Sequence, residues 1–503
     1  MKTSLTFLAR MTARLFLRLR RVAGPLHRRR RSLSEEKAAA QESLPPLAGW
    51  GDDDRWYRTD FSPRRYNVLR PMVDGAEYFA DLYQALQTAR TRVTIAGWCL
   101  TPLMPLLRGK REAQSILADV LEAVSRRADV YVLLWSGGPV LFEPTTQLCA
   151  GLRSSLLRRA PRVHCALDDR AAFSHDHHQK AVTIDGRIAY VGGIDLTTYA
   201  GDRWDARDHP IRCGPNWHDM QMHLEGEIVR DVEENFCQRW NAVTGDRLEP
   251  LGSAEIDPTW TASAQIVRTV PEGFYPFAPE GLYGIRHTML AAIRRAERFV
   301  YLENQYIWAP EIVEALIEAM NRRRSSPFRI LIVLPEHAEL GRYDNDEHVR
   351  ALCEADAGRG SFQAFTLYAA GPAAGLTGYS YLPIYVHAKV CIVDDEWFTV
   401  GSANLNRRGL ATDTEMNVQA VAPDVARSLR VSLWSEHLGM PQAGVAESDP
   451  IQLIDTRWKQ AADTLARRLR TGDRPSEGHV LVYKPGSSAS RLLDWIQSVT
   501  LEH

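Results

Sequence analysis

The feature that most constrains this chain is a residue pattern that occurs twice, 209 residues apart. The first copy, HQKAVTIDGRIAYVGGID, begins at His178, and the second, HAKVCIVDDEWFTVGSAN, begins at His387. Both copies fit the spacing H-x-K-x4-D-x6-G-[GS]-x-[DN], although only seven of the 61 lysine and arginine residues are lysine. A repeat of this kind predicts two copies of one structural unit whose polar residues meet at a shared site.

The elements around the two motifs repeat as well. Apolar spacing predicts a helix over 76–89, a strand over 92–98, a helix over 113–125 and a strand over 130–135. The second half repeats this order with a helix over 285–296, a strand over 299–305, a helix over 310–322 and a strand over 329–335. We therefore predict an α/β fold in which two pseudo-symmetric modules with mixed sheets, residues 51–245 and 246–440, share one central active site. A basic segment and linker over 1–50 and a helical extension over 441–503 flank them.

Length and composition limit the possible functions. A chain of 503 residues with 45% hydrophobic content can bury the cores of more than one domain. Its formal net charge of −1 gives no general attraction to a polyanion, so no nucleic-acid partner is expected. The seven cysteines are an odd number without C-x-x-C spacing and are expected to be reduced core residues of a cytoplasmic protein. They do not cluster with histidines in zinc-ligand spacing, so neither a metal nor another cofactor is expected.

The first 34 residues are strongly biased, because they contain many arginines and no acidic residue before Glu35. Leucine and phenylalanine alternate with the basic residues, but the apolar runs are too short for a membrane-spanning helix. A segment lying on a membrane surface and a disordered basic or transit-like tail both fit this pattern. The prediction carried forward is a protein that is peripheral to a membrane through this segment.

The histidine and lysine of each motif are two residues apart, so on a strand their side chains project from the same face. His178, Lys180, His387 and Lys389 are therefore candidate catalytic residues. Asp185 and Asp394 belong to the same motifs and are grouped with them, although their odd spacing from the histidines favours a turn or support role. The positions that end each motif could bind a phosphate group through side-chain contacts and through close approach of the backbone. These positions are Gly193, Asp195, Ser402 and Asn404.

A carboxylate opens the alternating strand that follows each motif. Asp219 starts DMQMHLEG, and Glu415 starts EMNVQAVA. A carboxylate on a neighbouring strand can orient an imidazole and stabilise its charged form. We expect Asp219 to support His178, and Glu415 to support His387, because each acid follows its own motif.

Two histidines facing each other could carry out a two-step displacement at phosphorus. One neutral imidazole would attack a phosphodiester to give a phosphohistidine, while the opposite imidazolium protonates the departing alcohol and later deprotonates water. The two lysines would bind the nonbridging oxygens, which makes a metal ion unnecessary for this step.

The duplicated motif resembles that of the phospholipase D superfamily, over about Trp56 to Gly439. Further segments resemble the eukaryotic-type branch, and they are GGIDL, WHDMQMHLEG, RWN, YLENQYI, IYVHAKVCIVDDE, GSANLNRRGL and LWSEHLG. The resemblance implies a membrane-associated enzyme that hydrolyses phospholipid headgroups to phosphatidic acid and can transfer the phosphatidyl group to an alcohol. It also implies His178 as the nucleophile and His387 as the acid and base, in a monomer because both half-sites lie in one chain.

Three alternatives remain open on the sequence alone. A phosphatidyltransferase of the cardiolipin synthase type uses the same half-sites and differs in the alcohol that resolves the intermediate. A nuclease of the same superfamily is disfavoured because the chain lacks an obvious basic stripe. A non-catalytic membrane scaffold would fit the basic N-terminus but would need neither histidine.

Overall fold

The computed structural model describes Trp56 and residues 60–139, 143–170, 175–211, 214–252, 257–338, 342–372, 378–474 and 478–486. The basic segment and the linker predicted for residues 1–50 lie outside these ranges. Among the described helices, none combines the length and the apolarity needed to cross a bilayer.

The first module alternates strands and helices in the predicted order. Its strands are β1 (Arg64–Val73), β2 (Arg92–Gly97), β3 (Asp129–Trp135), β4 (His164–Asp168), β5 (Ala181–Ile184), β6 (Ile188–Gly192), β7 (Asn216–His218) and β8 (Met220–Gly226). Its helices are α1 (Asp74–Thr88), α2 (Leu117–Ser125), α3 (Thr146–Arg159) and α4 (Ile228–Thr244). The helix predicted over 113–125 begins only at Leu117, because residues 109–114 form a separate 3-10 turn. This turn ends at Ser115, whose hydroxyl donates a hydrogen bond to the carbonyl of Glu112.

The second module repeats this plan. Its strands are β9 (Ala262–Val270), β10 (Leu282–Tyr283), β11 (Phe299–Glu303), β12 (Arg329–Val333), β13 (Phe362–Pro372), β14 (Tyr379–Val386), β15 (Val390–Val393), β16 (Trp397–Gly401) and β17 (Glu415–Val421). Its helices are α5 (Gly284–Arg295), α6 (Pro310–Arg322), α7 (Arg342–Asp356) and α8 (Pro423–Leu438). After it come α9 (Gln442–Glu447), α10 (Pro450–Leu453), α11 (Lys459–Thr471) and β18 (Val480–Val482), with π-helical turns at Arg408–Thr412 and Ile454–Trp458.

Strand pairing makes the internal symmetry explicit. The strands pair in the order β4-β3-β2-β5-β6-β8-β1 in the first module and β13-β12-β11-β15-β16-β17-β9 in the second. The first three strands of each series are parallel, the others are antiparallel, and β1 pairs with β9 to join the two series. This arrangement confirms the two pseudo-symmetric α/β modules with mixed sheets that the repeat predicts.

The two modules share one core in addition to the core that each module has of its own. One cluster of buried residues draws Met222 and Leu224 from the first module and Met416 and Val418 from the second, and it extends to Trp458. Backbone pairing also crosses between them, because β14 runs parallel to β7 with Val386 opposite His218. These crossing contacts lie beside the motif histidines and determine how the site is assembled.

The cysteines behave as core residues. Six of them are described and unpaired, five of these six are buried, and Cys213 lies outside the described ranges. Burial raises the pKa of the Cys99 thiol to about 12, which keeps it protonated at neutral pH.

Candidate active site

Each histidine-lysine pair lies on an extended segment just before a strand. His178 and Lys180 precede β5, and His387 and Lys389 precede β15, so the pairs lie outside the strands themselves. Lys180 Nζ donates a hydrogen bond of 2.7 Å to the carbonyl of His178. Lys389 makes the corresponding bond to the carbonyl of His387. The same local geometry therefore places one ammonium group next to each motif histidine.

Backbone contacts bring each motif to the opposite module. The N–H of His178 donates to the carbonyl of Thr414 at 2.9 Å, and the N–H of His387 donates to the carbonyl of His218 at 2.8 Å. Thr414 is the residue before Glu415, and His218 is the residue before Asp219. Each histidine consequently lies next to the carboxylate that follows the other motif.

The side chains complete this exchange of carboxylates. His178 Nδ1 lies 3.0 and 3.1 Å from the two oxygens of Glu415, and His387 Nδ1 lies 2.6 Å from Asp219 Oδ2. The expected pairs of Asp219 with His178 and Glu415 with His387 are therefore wrong. The prediction used the sequence interval between each histidine and the next carboxylate in the same module. The carboxylate that contacts each histidine is instead decided by backbone hydrogen bonds between the modules.

Burial and neighbouring charges keep both imidazoles neutral in the free site. Burial, reinforced by the ammonium groups of Lys180 and Lys389, holds the pKa of His178 well below its usual value. Burial and the charges of Lys389, Arg203 and Lys180 do the same to the pKa of His387, which also responds to His178. The two histidines and two lysines thus lie within electrostatic range of one another in a single buried site.

The lysines and carboxylates of the site are also perturbed. Burial lowers the pKa of Lys389 to about 7, although Asp219 opposes this shift, and burial lowers the pKa of Lys180 as well. Burial raises the pKa of Asp219 to about 7 and raises that of Glu415 well above its usual value. A phosphodiester anion between the lysines would favour their charged forms, since an opposite charge stabilises a buried ammonium group.

Comparison with known proteins finds relatives of this chain. A family model described as "Cardiolipin synthase, PLD-like domain" matches residues 289–436. Phospholipase D alpha 1 of Carica papaya is 25% identical over 83% of this chain and 71% of its own length. Phospholipase D A of Dictyostelium discoideum is 25% identical over 78% of this chain and 37% of its own length. This chain is therefore similar to phospholipases D and, over part of its length, to a PLD-like domain.

The similarity to plant and Dictyostelium proteins supports the eukaryotic-type phospholipase D branch. Among solved structures, a phosphatidylserine synthase from Haemophilus influenzae matches with a TM-score of 0.51 at 12% identity, over 87% of this chain and 97% of its own. At this level of identity the match concerns the fold, and it agrees with the two-module architecture.

The two motif aspartates lie in turns. Asp185, with φ +55°, accepts hydrogen bonds of 2.7–2.9 Å from the backbone amides of residues 90–92. Asp394, with φ +58°, accepts bonds of 2.7–2.8 Å from the amides of residues 297–299. Both lie at the far ends of β5 and β15 from the histidines, so grouping them with the catalytic residues is corrected: they position the starts of β2 and β11.

The positions predicted to bind phosphate have different roles in the two phospholipase D motifs. A Cβ atom at Gly193 would lie 2.1 Å from Asp219 Oδ1, so this glycine makes room for the carboxylate of the His387 pair. The Ser402 hydroxyl donates to Glu415, and Asp195 accepts from the amides of Trp98 and Cys99 at 3.1 and 3.0 Å. Neither side chain is therefore available as a phosphate donor.

Asn404 remains a candidate for contact with a phosphodiester. Its Oδ1 atom is buried without a hydrogen-bond partner in the described part of the chain, but an amide oxygen only accepts, so a bond to a phosphate oxygen would have to come from its Nδ2 hydrogens. Sequence reasoning missed one buried cation beside the site, Arg203, which is 3% exposed and whose guanidinium lies 3.9 Å from the ring centroid of Trp217. Its only sequence signal is that it is a basic residue in the loop that leads to the W-H-D segment, Trp217 to Asp219. That signal is weak, because the loop has no periodicity.

Proposed function

We propose that the protein is a phospholipase D that hydrolyses the headgroup phosphodiester of a membrane phospholipid to give phosphatidic acid. The observation that carries this proposal is the crossed pair of histidine-carboxylate contacts, each with a lysine beside it, in one buried site. Phospholipases D of papaya and Dictyostelium are among the relatives of this chain, which supports the same chemistry here.

The first step uses the two imidazoles in opposite protonation states. His178 donates its Nδ1 hydrogen to Glu415, which leaves the lone pair on Nε2 to attack phosphorus. The negative charge of the bound phosphodiester favours the protonated form of His387. As the nitrogen-phosphorus bond forms and the bond to the headgroup oxygen breaks, His387 gives its Nε2 proton to that oxygen. Asp219, bonded to His387 Nδ1, offsets the positive charge that this imidazolium carries before the transfer.

The second step reverses these roles. His387, now neutral, takes a proton from water, whose oxygen attacks phosphorus while the bond to His178 breaks. Each step inverts the configuration at phosphorus, so the overall reaction retains it. An alcohol in place of water would give a phosphatidylalcohol by the same route, and the headgroup alcohol leaves before either acceptor enters.

Cations around the site supply the electrostatic part of catalysis. Lys180 and Lys389 would bind the nonbridging phosphate oxygens, whose charge grows in the transition state. Arg203 would add a third buried cation, and its charge acts on His387 and on both lysines. Asn404 would donate an amide hydrogen to the same oxygens. We further propose that the enzyme acts as a monomer at the membrane surface.

The test of this function is a product analysis of the full chain with phosphatidylcholine vesicles, with and without a primary alcohol such as 1-butanol. Mass spectrometry should detect choline with phosphatidic acid, and phosphatidylbutanol when the alcohol is present. The blank is the double variant His178→Ala/His387→Ala. Folded protein that turns over no phospholipid would contradict the proposal. A parallel assay uses phosphatidylglycerol vesicles. If the protein forms cardiolipin there in preference to phosphatidic acid, it is a phosphatidyltransferase, which is the alternative that the family model's description suggests.

Replacing Gly193 by alanine should lower headgroup release about 100-fold, because the new Cβ would displace Asp219 from His387. The measurement is kcat and KM for phosphatidylcholine, together with Tm. The matched control is Gly151→Ala in α3, where a Cβ meets nothing within 4 Å and activity should be unchanged. Unaltered activity of Gly193→Ala would show that the close approach of Asp219 is not needed.

A further inference from the structure

A second cluster of titratable side chains lies next to the catalytic pairs and takes no part in the proposed reaction. Asp74, His209, His218 and Glu436 each offer one ligand atom, and these atoms all lie within 4.8 Å of one another. All four residues are buried, with exposed fractions of 0–3%. They come from α1, the loop between β6 and β7, β7 itself and α8, so both modules contribute.

The four side chains converge in ion-pair contact, but the atoms that face one another do not meet hydrogen-bond geometry. Asp74 Oδ2, His209 Nε2, His218 Nδ1 and Glu436 Oε1 are buried atoms with no hydrogen-bond partner in the described part of the chain. His218 Nδ1 nevertheless lies 3.0 Å from Asp74 Oδ1 and 3.3 Å from Glu436 Oε1, and His209 Nε2 lies 3.2 Å from Glu436 Oε1. Ligand atoms around a tetrahedral zinc ion with bonds of about 2.0–2.1 Å are about 3.3–3.4 Å apart. The three separations of 3.0–3.3 Å are close to those edges, and the other ligand atoms lie within 4.8 Å.

Outer carboxylates orient the two imidazoles toward the cluster. His209 Nδ1 lies 3.0 Å from Asp205 Oδ2, and His218 Nε2 lies 2.9 Å from Glu303 Oε2. In each case the carboxylate accepts an N–H from one ring nitrogen, which leaves the lone pair on the nitrogen that faces the cluster. Metal-binding histidines are held in this way in most proteins.

The charges of the cluster are compatible with a bound cation. In the described part of the chain, the ion-pair partners of Asp74 and Glu436 are histidines, with no lysine or arginine among them. Buried carboxylates are stable only when they are paired or bound to a metal. A divalent ion would neutralise both carboxylates and leave both imidazoles uncharged.

We propose that Asp74, His209, His218 and Glu436 bind a structural divalent transition-metal ion, for which zinc is the best match. Zinc accepts imidazole and carboxylate ligands at four-coordinate sites, and a site closed by four protein ligands is structural. The expectation that no metal binds, drawn from cysteine spacing, missed these residues because they are far apart in the sequence. The inference concerns stability and does not depend on the proposed reaction.

The ion would stabilise the part of the fold that carries Asp219. The N–H of Asp219 donates to Asp74 Oδ1 at 3.1 Å, and the N–H of Asp74 donates to the carbonyl of Asp219 at 2.9 Å. His218 precedes Asp219, and its carbonyl accepts the N–H of His387. A metal bound to Asp74 and His218 would therefore fix the backbone on both sides of the carboxylate that orients His387.

The test is the metal content of the full chain, purified without a polyhistidine tag in metal-free buffers. Plasma mass spectrometry should find about one zinc ion per chain. Removal of the ion with a chelator should lower Tm by several degrees, and zinc, but not magnesium, should restore it. Cobalt(II) added to the metal-free protein should give the intense visible absorption of a four-coordinate ion. A chain that holds no metal and gains no Tm with excess zinc would overturn the proposal and leave a network of protonated histidines.

Variants locate the ion. His209→Ala and Glu436→Gln should each reduce bound zinc at least about 10-fold. The matched control is His223→Ala, because His223 bonds to Asp81 and Glu225 at 2.9 and 3.1 Å in a separate cluster, and it should retain the metal. Full zinc content in both cluster variants would overturn the assignment. If a variant does not fold, the zinc and cobalt titrations of the wild-type chain decide alone.

Discussion

Replacing either His178 or His387 by alanine should reduce phospholipid turnover by at least about 10⁴-fold, but the two variants should stop at different steps. A phosphatidyl ester of p-nitrophenol distinguishes them, because nitrophenolate leaves without being protonated. His387→Ala keeps the nucleophile and should release one equivalent of nitrophenolate rapidly before stalling as a phosphatidyl adduct on His178. His178→Ala should release none. Stopped-flow absorbance gives the burst, and intact-protein mass spectrometry gives the adduct.

The control for this pair is His164→Ala, since His164 is an exposed histidine on β4 and its removal should leave steady turnover unchanged. A burst in His178→Ala together with none in His387→Ala would reverse the assignment of nucleophile and acid. The absence of a burst and of an adduct in both variants would contradict a covalent intermediate. Tm measured for each variant separates these outcomes from unfolding.

Much of the fold could be predicted from the sequence, because local patterns decide its elements. The helix over Pro310–Arg322 has the predicted bounds, with proline in its first turn and an apolar face that is buried. The turn at Asp185 and Gly186 has the positive φ values that an Asp-Gly hairpin requires. The repeat itself predicted the paired modules, since equal spacing in two segments indicates equal structure.

The sequence predicted which residues form the site but not which of them contact each other, because the contacts are made between modules. Asp219 and Glu415 were identified as support for the histidines, but no sequence interval shows that β8 and β17 each run beside the opposite motif. Ser402 and Gly193 occupy the same motif position and contact the carboxylates differently. The Ser402 hydroxyl bonds to the side chain of Glu415, whereas the side chain of Asp219 fills the space beside Gly193. Arg203 lies in an irregular loop, where periodicity carries no information.

The crossed pairing predicts opposite defects for the two carboxylates. Glu415→Gln should slow the nitrophenolate burst about 10³-fold, because His178 loses the acceptor that fixes its tautomer. Asp219→Asn should leave the burst nearly intact and slow turnover after it by a similar factor, because water attack needs His387 as a base. Pre-steady-state kinetics with the nitrophenyl ester separates the two rates.

The matched control is Glu225→Gln, which removes a carboxylate from a histidine outside the site and should change neither phase. If Asp219→Asn lost the burst while Glu415→Gln kept it, each carboxylate would act on the histidine of its own motif, and the pairing between modules would have no catalytic role.

If the crossed pairs act as the geometry indicates, neither module can carry out even one step alone. His178 needs Glu415, and His387 needs Asp219, so a functional half-site always contains residues of both repeats, which gives a physical reason for the shared core and the β7–β14 pairing.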